Sequence, residues 1–181
     1  MITSINISHV WVFDQDEALE FYVGKLGLEV SADMEFGGAM RWLTVRPKGM
    51  TDREILLEKV APPSVDPTSA EKIRDVITKG ASGFAVGFVT TDAAALHAEL
   101  KAKGVEVTEE PTKQFYGTDF AVRDPFGNRL RFVEPATGYV GRYVPGAGPA
   151  GDVRRSATRR EPTVLMHRQR RRSARPARTI A

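Results

Sequence analysis

Residues 4–60 and 83–135 follow one plan, and this duplication narrows the folds open to the chain more than any other feature. In the first copy, "INISHVWVF" alternates Ile5, Ile7, His9, Trp11 and Phe13 against Val10 and Val12, a pattern that predicts a strand apolar on both sides. "DQDEALEFYVGKLG" comes next, with helical spacing of Leu19, Tyr22, Val23 and Leu26, a capping-box pair Asp14/Glu17 and a terminal Gly27. Three strand-like segments succeed it: "LEVSADM", "AMRWLTV" and "EILLEKV". After the linker "APPSVDPTS" and the short polar helix "AEKIRDVITKG", the series restarts. It runs "FAVGFVT", then the helix "TDAAALHAELKAKG", then strands "VEVTEEP", "FYGTDFAVRD" and "RLRFVE". The joints "GLEV" (27–30) and "GVEV" (104–107) agree at three of four positions, and Asp16 and Asp92, expected to open the two helices, lie 76 residues apart. A strand–helix–three-strand unit repeated at this distance implies two halves burying one core. The expectation is an α+β fold of two tandem βαβββ modules, with module one at 4–60, a linker carrying a short helix at 61–82, and module two at 83–135.

Charge separates this 1–135 domain from the remainder of the chain. Residues 1–135 carry 15 Lys+Arg against 21 Asp+Glu, whereas 136–181 carry 11 Arg against Asp152 and Glu161. The basic character therefore belongs to the end of the chain. That segment is rich in Gly, Pro, Ala and Arg without apolar period, so a disordered tail is expected and nucleic-acid binding is not. The sequence has no cysteine, which excludes disulfides, thiolate metal sites and a Cys nucleophile and points to the cytoplasm. No apolar run nears the roughly 18 residues of a membrane span, and the N-terminus lacks the marks of a signal peptide. No phosphate loop, dinucleotide fingerprint or Ser-His-Asp context occurs, since the Gly-containing "KGASGFAVG" precedes a strand instead of succeeding one.

The repeated βαβββ units, "HVWVFDQD" leading into "ALEFYVGKLGLEV", and the "DPFGN" turn (124–128) before the last strand resemble the vicinal oxygen chelate superfamily. That superfamily includes glyoxalase I, bleomycin-resistance proteins, extradiol dioxygenases and fosfomycin-resistance proteins. The resemblance implies modules whose sheets curl around a cleft with the helices outside, and association into a homodimer. In metal-dependent members, cleft-facing strand positions supply His and Glu ligands. His9 stands at the first of these, seven residues before Asp16, while the matching place in module two is Ala85. The last-strand Glu of the family falls four residues after the turn glycine, where this chain has Arg131. "EILLEKV" could contribute Glu58, with Leu56 competing for the same slot.

Two ligands are fewer than the roughly three protein ligands of a catalytic zinc site, and a guanidinium repels a divalent cation. Glu134 lies on the Leu130/Phe132 phase and so faces away from Arg131. The preferred reading is therefore a small-molecule binder without metal or other cofactor. Its expected pocket residues are His9, Trp11, Trp42, Glu58, Phe115, Tyr116, Arg129 and Arg131, with Glu58 pairing Arg129 or Arg131 across the cleft. The aromatic residues could stack on a flat or cationic ligand, although core filling is an equal reading for Trp11. His97, on the second helix, reads as surface. The alternative is a glyoxalase- or dioxygenase-like enzyme holding a divalent metal ion through His9, Glu58 and further ligands, including ones from a partner subunit.

Overall fold

The computed structural model describes residues 1–38 and 40–137; the expected tail, 136–181, falls outside them apart from its first two residues. The first unit runs β1 (Ile7–Val12), α1 (Gln15–Leu19), β2 (Glu29–Phe36), β3 (Met40–Arg46) and β4 (Glu54–Lys59). After α2 (Pro67–Thr78) come β5 (Phe84–Val89), α3 (Ala93–Ala102), β6 (Glu106–Gln114), β7 (Gly117–Arg123) and β8 (Arg129–Pro135). The strands form two four-stranded sheets of identical order, β1-β4-β3-β2 and β5-β8-β7-β6. In each, the first strand pairs in parallel with the last, and the remaining pairs are antiparallel.

One side of each sheet is sealed into a common core. Val10, Val12, Leu43, Val45, Ile55 and Leu57 from the first sheet share a buried cluster with Phe120, Val122, Leu130 and Phe132 from the second. Helical residues Ala18, Phe21, Tyr22, Ile77, Ala93 and Leu100 close it. Neither half could remove its apolar face from water alone, which is the physical reason the duplication is retained in one chain.

Several expectations need correction. α1 is capped by Asp14, whose carboxylate accepts from the N–H groups of Asp16 and Glu17, so Asp16 lies within the first turn and does not open the helix. Asp92 does cap α3. α1 continues over Glu20–Lys25 in π-helical winding; Phe21, not expected on the apolar face, is buried beside the expected Tyr22, while Leu19, Val23 and Leu26 pack against the core half-buried. β1 is sealed on only one side: Val10 and Val12 are buried, whereas on the opposite face His9 is exposed and Ile7 and Trp11 are half-buried. Phe115 and Tyr116 belong to the β6–β7 turn, not to a strand.

The "DPFGN" turn fastens one module to the other. Asp124 Oδ1 accepts from the N–H groups of Phe126, Gly127 and Asn128 at 3.0, 2.9 and 2.8 Å. Its Oδ2 accepts from Tyr22 Oη and Asn128 Nδ2, both at 2.8 Å, and Asn128 Nδ2 also donates to the Trp11 carbonyl at 2.7 Å. Burial outweighs these bonds and lifts the Asp124 carboxyl above its ordinary range; burial and the neighbouring Asp124 charge raise the Tyr22 phenol as well. Gly127 has φ +108°, and a Cβ there would collide with the Ile77 carbonyl oxygen. Close approach of the turn to the end of α2 thus requires glycine.

Candidate functional site: the open sheet faces

Because strand side chains alternate, burying one side of each sheet commits the other residues to the opposite, open face. In the first module these are His9 and Trp11 on β1, Leu56 and Glu58 on β4, Trp42 and Thr44 on β3, and Ala32, Met34 and Phe36 on β2, of which Thr44 and Leu56 are themselves buried. Register orders them in rows. His9 lies beside Leu56, Thr44 beside both Leu56 and Ala32, while Trp11 lies beside Glu58, and Trp42 beside Met34. Six of the expected pocket residues fall on open faces with their predicted phase: His9, Trp11, Trp42 and Glu58 here, and Arg129 and Arg131 in module two.

The sheet of module one is split in the middle of this face. β3 and β4 pair at Thr44↔Leu56 and Val45↔Ile55, and beyond those residues the strands part. Gln15, nearly fully buried, bridges the gap by donating from Nε2 to the carbonyls of Arg41 (3.0 Å) and Leu57 (2.8 Å). In front of it is a slot of about 50 Å³ lined by Met40, Leu56, Glu58 and the 61–64 segment, with Arg41 and Lys59 also on its wall. Trp11 is half-buried, with one part packed on the core and on the small cluster Val60, Val65 and Ala70. The His9 ring meets it edge-on at 4.8 Å, and His9 itself is exposed. Glu58 makes no hydrogen bond or ion pair within the described residues.

Module two carries a different chemistry on the matching face. Arg131 donates from Nε to Asp119 Oδ2 (2.7 Å) and from Nη2 to Glu109 Oε2, and Arg129 donates to Glu109 Oε1 (2.6 Å). Tyr116 Oη donates to the same Asp119 oxygen at 2.9 Å, and this bond raises the phenol above its usual range. The expected pairing of Glu58 with Arg129 or Arg131 is therefore not made within the chain: both guanidiniums are satisfied by carboxylates of their own sheet. Phe115 is 86% exposed at the turn, ring to ring with Tyr116 and outside the strand rows. Sequence reasoning missed Glu109 and Asp119, although Glu109 stands opposite Ala121 and Asp119 two residues before it. Alternation along "GTDFAV" would have placed Asp119 on the arginine face, but along "VTEE" it puts Glu109 on the core side with Val107, and only the bulge between Val107 and Glu109 turns that carboxylate to the arginines.

Two further placements concern the helices. Glu134 points to the helix side, as its phase predicts, and accepts from the N–H of Ala93 at 2.9 Å. His97 is not a surface residue. Its side chain is only 12% exposed, lies edge-on to Phe120 at 5.5 Å, and has Nε2 3.0 Å from Glu110.

The ligand set of the metal-dependent relatives fits poorly here. The partner of His9 across β1–β4 is Leu56, Glu58 is one row further, and the module-two partner of Arg131 is Gly87. Among the described residues no group of three or more His, Cys, Asp or Glu could hold a metal ion.

Two mixed sheets of the same order, back-sealed by helices and open in front, define a tandem βαβββ protein. The family model for the Glyoxalase/Bleomycin resistance protein/Dioxygenase superfamily matches residues 4–132, and the chain belongs to that superfamily. It is 35% identical over 131 residues to the uncharacterized protein YurT of Bacillus subtilis (strain 168), covering 72% of this chain and 98% of that one. Among solved structures it is similar to UcmS2, with TM-score 0.70, 36% identity, and coverage of 74% of this chain and 99% of the other. It is also similar to TnmS3, an antibiotic binding protein from Streptomyces sp. CB03234, with TM-score 0.58, 29% identity, and coverage of 75% and 98%. No helix among the described residues is long and apolar enough to cross a membrane.

Proposed function

We propose that this protein binds a small organic molecule on the open face of its paired modules without using a metal ion. The observation that carries the reading is the row Trp11–Glu58, with Trp42 on the same face beyond the strand gap: aromatic and carboxylate side chains share one sheet face, and among the described residues no group of three or more His, Cys, Asp or Glu could hold a metal ion. Ligand pockets commonly combine apolar walls with a few polar groups that fix orientation. The likeness to TnmS3 supports a binding role in place of catalysis. Thermal stability should be indifferent to chelators, since nothing held by the native state would be removed.

The open faces also favour a homodimer. Met34, Phe36 and Phe84 are 48, 54 and 63% exposed, and a second copy covering these residues would turn an open face into a cleft. The cysteine-free composition suits action in the cytoplasm. Trp11 and Trp42 are the only tryptophans of the chain, so intrinsic fluorescence reports on the site directly. Titration with planar aromatic compounds should quench it saturably, light scattering should give twice the chain mass, and elemental analysis should find no stoichiometric metal. About one metal per chain, lost on His9→Ala, would overturn the binder in favour of a metal-dependent enzyme.

A further inference from the structure

The two arginines of module two suggest an anionic ligand, but the charges that remain unspent on the open faces point the other way. Arg129 and Arg131 are neutralised by Glu109 and Asp119 at 2.6 and 2.7 Å. Across the sheet gap of module one, Arg41 is likewise held, by Asp16 at 2.6 Å and Asp33 at 2.7 Å. Lys59, exposed at the end of β4, has the Asp14 carboxylate as its electrostatic neighbour. Glu58 alone among the charged groups on the row of tryptophans lacks a partner within the described residues. It is half-buried, so its charge is only partly compensated by water, and it borders the 50 Å³ slot.

We infer that the ligand is a planar aromatic cation whose compact charged end, an ammonium or amidinium, pairs with Glu58 at the slot while its ring system lies along Trp42 and the His9–Trp11 edge. A cation beside indole rings gains from their quadrupole as well as from the carboxylate, and a desolvated site strengthens both attractions. A planar anion would meet an uncompensated carboxylate and would have to break the Glu109 pairs to reach either arginine. This assignment rests on the small-molecule reading above and adds to it the charge of the ligand.

Three compounds of one shape separate the two levels of the claim: 2-naphthamidine, 2-naphthamide and 2-naphthoate, cationic, neutral and anionic. Calorimetric titration of the full chain at low salt should rank them in that order, with the amidine at least ten-fold tighter than the naphthoate. Glu58→Gln, which keeps the volume and removes the charge, should abolish the advantage of the amidine over the amide. Trp42→Ala should weaken all three. If the amide or naphthoate binds as tightly as the amidine, or if Glu58→Gln leaves the ranking intact, the charge assignment fails and the binding role stands. If none of the three binds, both fail.

Discussion

The two modules share strand order, helix placement and core, yet their open faces have been put to opposite use. At the level of Glu58 module one has Trp11 beside it and Trp42 beyond the gap, whereas the equivalent row of module two reads Gly87, Arg131, Ala121 and Glu109. In module one the strands part and leave a slot; in module two β7 and β8 stay paired from Gly117 to Arg123. A continuous ladder brings acid and base on neighbouring strands within contact, so module two satisfies its own charges. A split ladder leaves Glu58 without such a neighbour. Duplication thus copies the backbone that buries the core, while the face left over by alternation is free to diverge.

The sharpest way to break the comparison is at the turn that joins the modules. Asp124→Ala removes an acceptor for five donors, several of them buried, and is expected to cost about 4 kcal/mol, enough to lower the urea midpoint severely or prevent folding. Asp52→Ala, in the corresponding turn of module one, loses only an exposed 3.6 Å contact with Arg53 and should stay within about 0.5 kcal/mol of wild type. Equal losses in the two would show that the turns are equivalent and that module two has no special fastening role.

Glu109→Gln should leave Arg129 without its carboxylate and Arg131 with Asp119 alone. Their side chains are 33 and 37% exposed, so solvent screening limits the stability loss to about 1 kcal/mol. The larger consequence is chemical: the face becomes cationic, and 2-naphthoate affinity should rise several-fold while that of 2-naphthamidine falls. No change in either would mean that the arginines do not face the ligand.

The helix starts offer a finer contrast. Asp14 accepts two N–H bonds at the start of α1, and Asp14→Ala should lower the urea midpoint measurably. At α3, Asp92 accepts one bond and Glu134 a second, so Asp92→Ala should lower it less. Urea unfolding of both variants compares them, and a reversed order would remove Glu134 as a second cap.

The smallest effect is one of sign in acid. Asp33 is held below the usual carboxylate range first by its hydrogen bond from Arg41, and Glu54 by its bond from Ser31. Their contributions are complete above about pH 5 and are lost as pH falls through 4 and below, where the folded carboxylates take up protons. Asp124, raised by burial, has the opposite sign, because its folded form takes up a proton before the unfolded form does, and stability gains as pH falls through that raised value. The stability difference between wild type and Asp33→Asn should therefore shrink between about pH 5 and 3. A constant difference would mean that Arg41 does not favour the ionised form.

Much of the fold was legible because its signals are local. Apolar patterning picked out a segment on each of the eight strands, Gly27 and Gly104 marked helix ends, and the repeat announced two halves with one core. The phase of Arg131 against Glu134 was legible too, since a strand has only two faces. Relations across strands could not be read. Whether Leu56 or Glu58 stands opposite His9 depends on a register that no single strand specifies, and the π-helical winding after Leu19 arises from packing Phe21 and Tyr22 inward.

By itself, then, the sequence determined the βαβββ duplication and most of the assignment of residues to strand faces, which are set by residue type and spacing along the chain. Only the tertiary structure decided which charges are cancelled. Glu109 reaches Arg129 and Arg131 from 20 and 22 residues away, Asp124 reaches Tyr22 from 102 away, and Glu58 is left alone by a gap that Gln15 bridges across 26 and 42 residues. Electrostatic partnership falls off over a few ångströms of space, not along the chain, so it is settled only when the strands have found their neighbours.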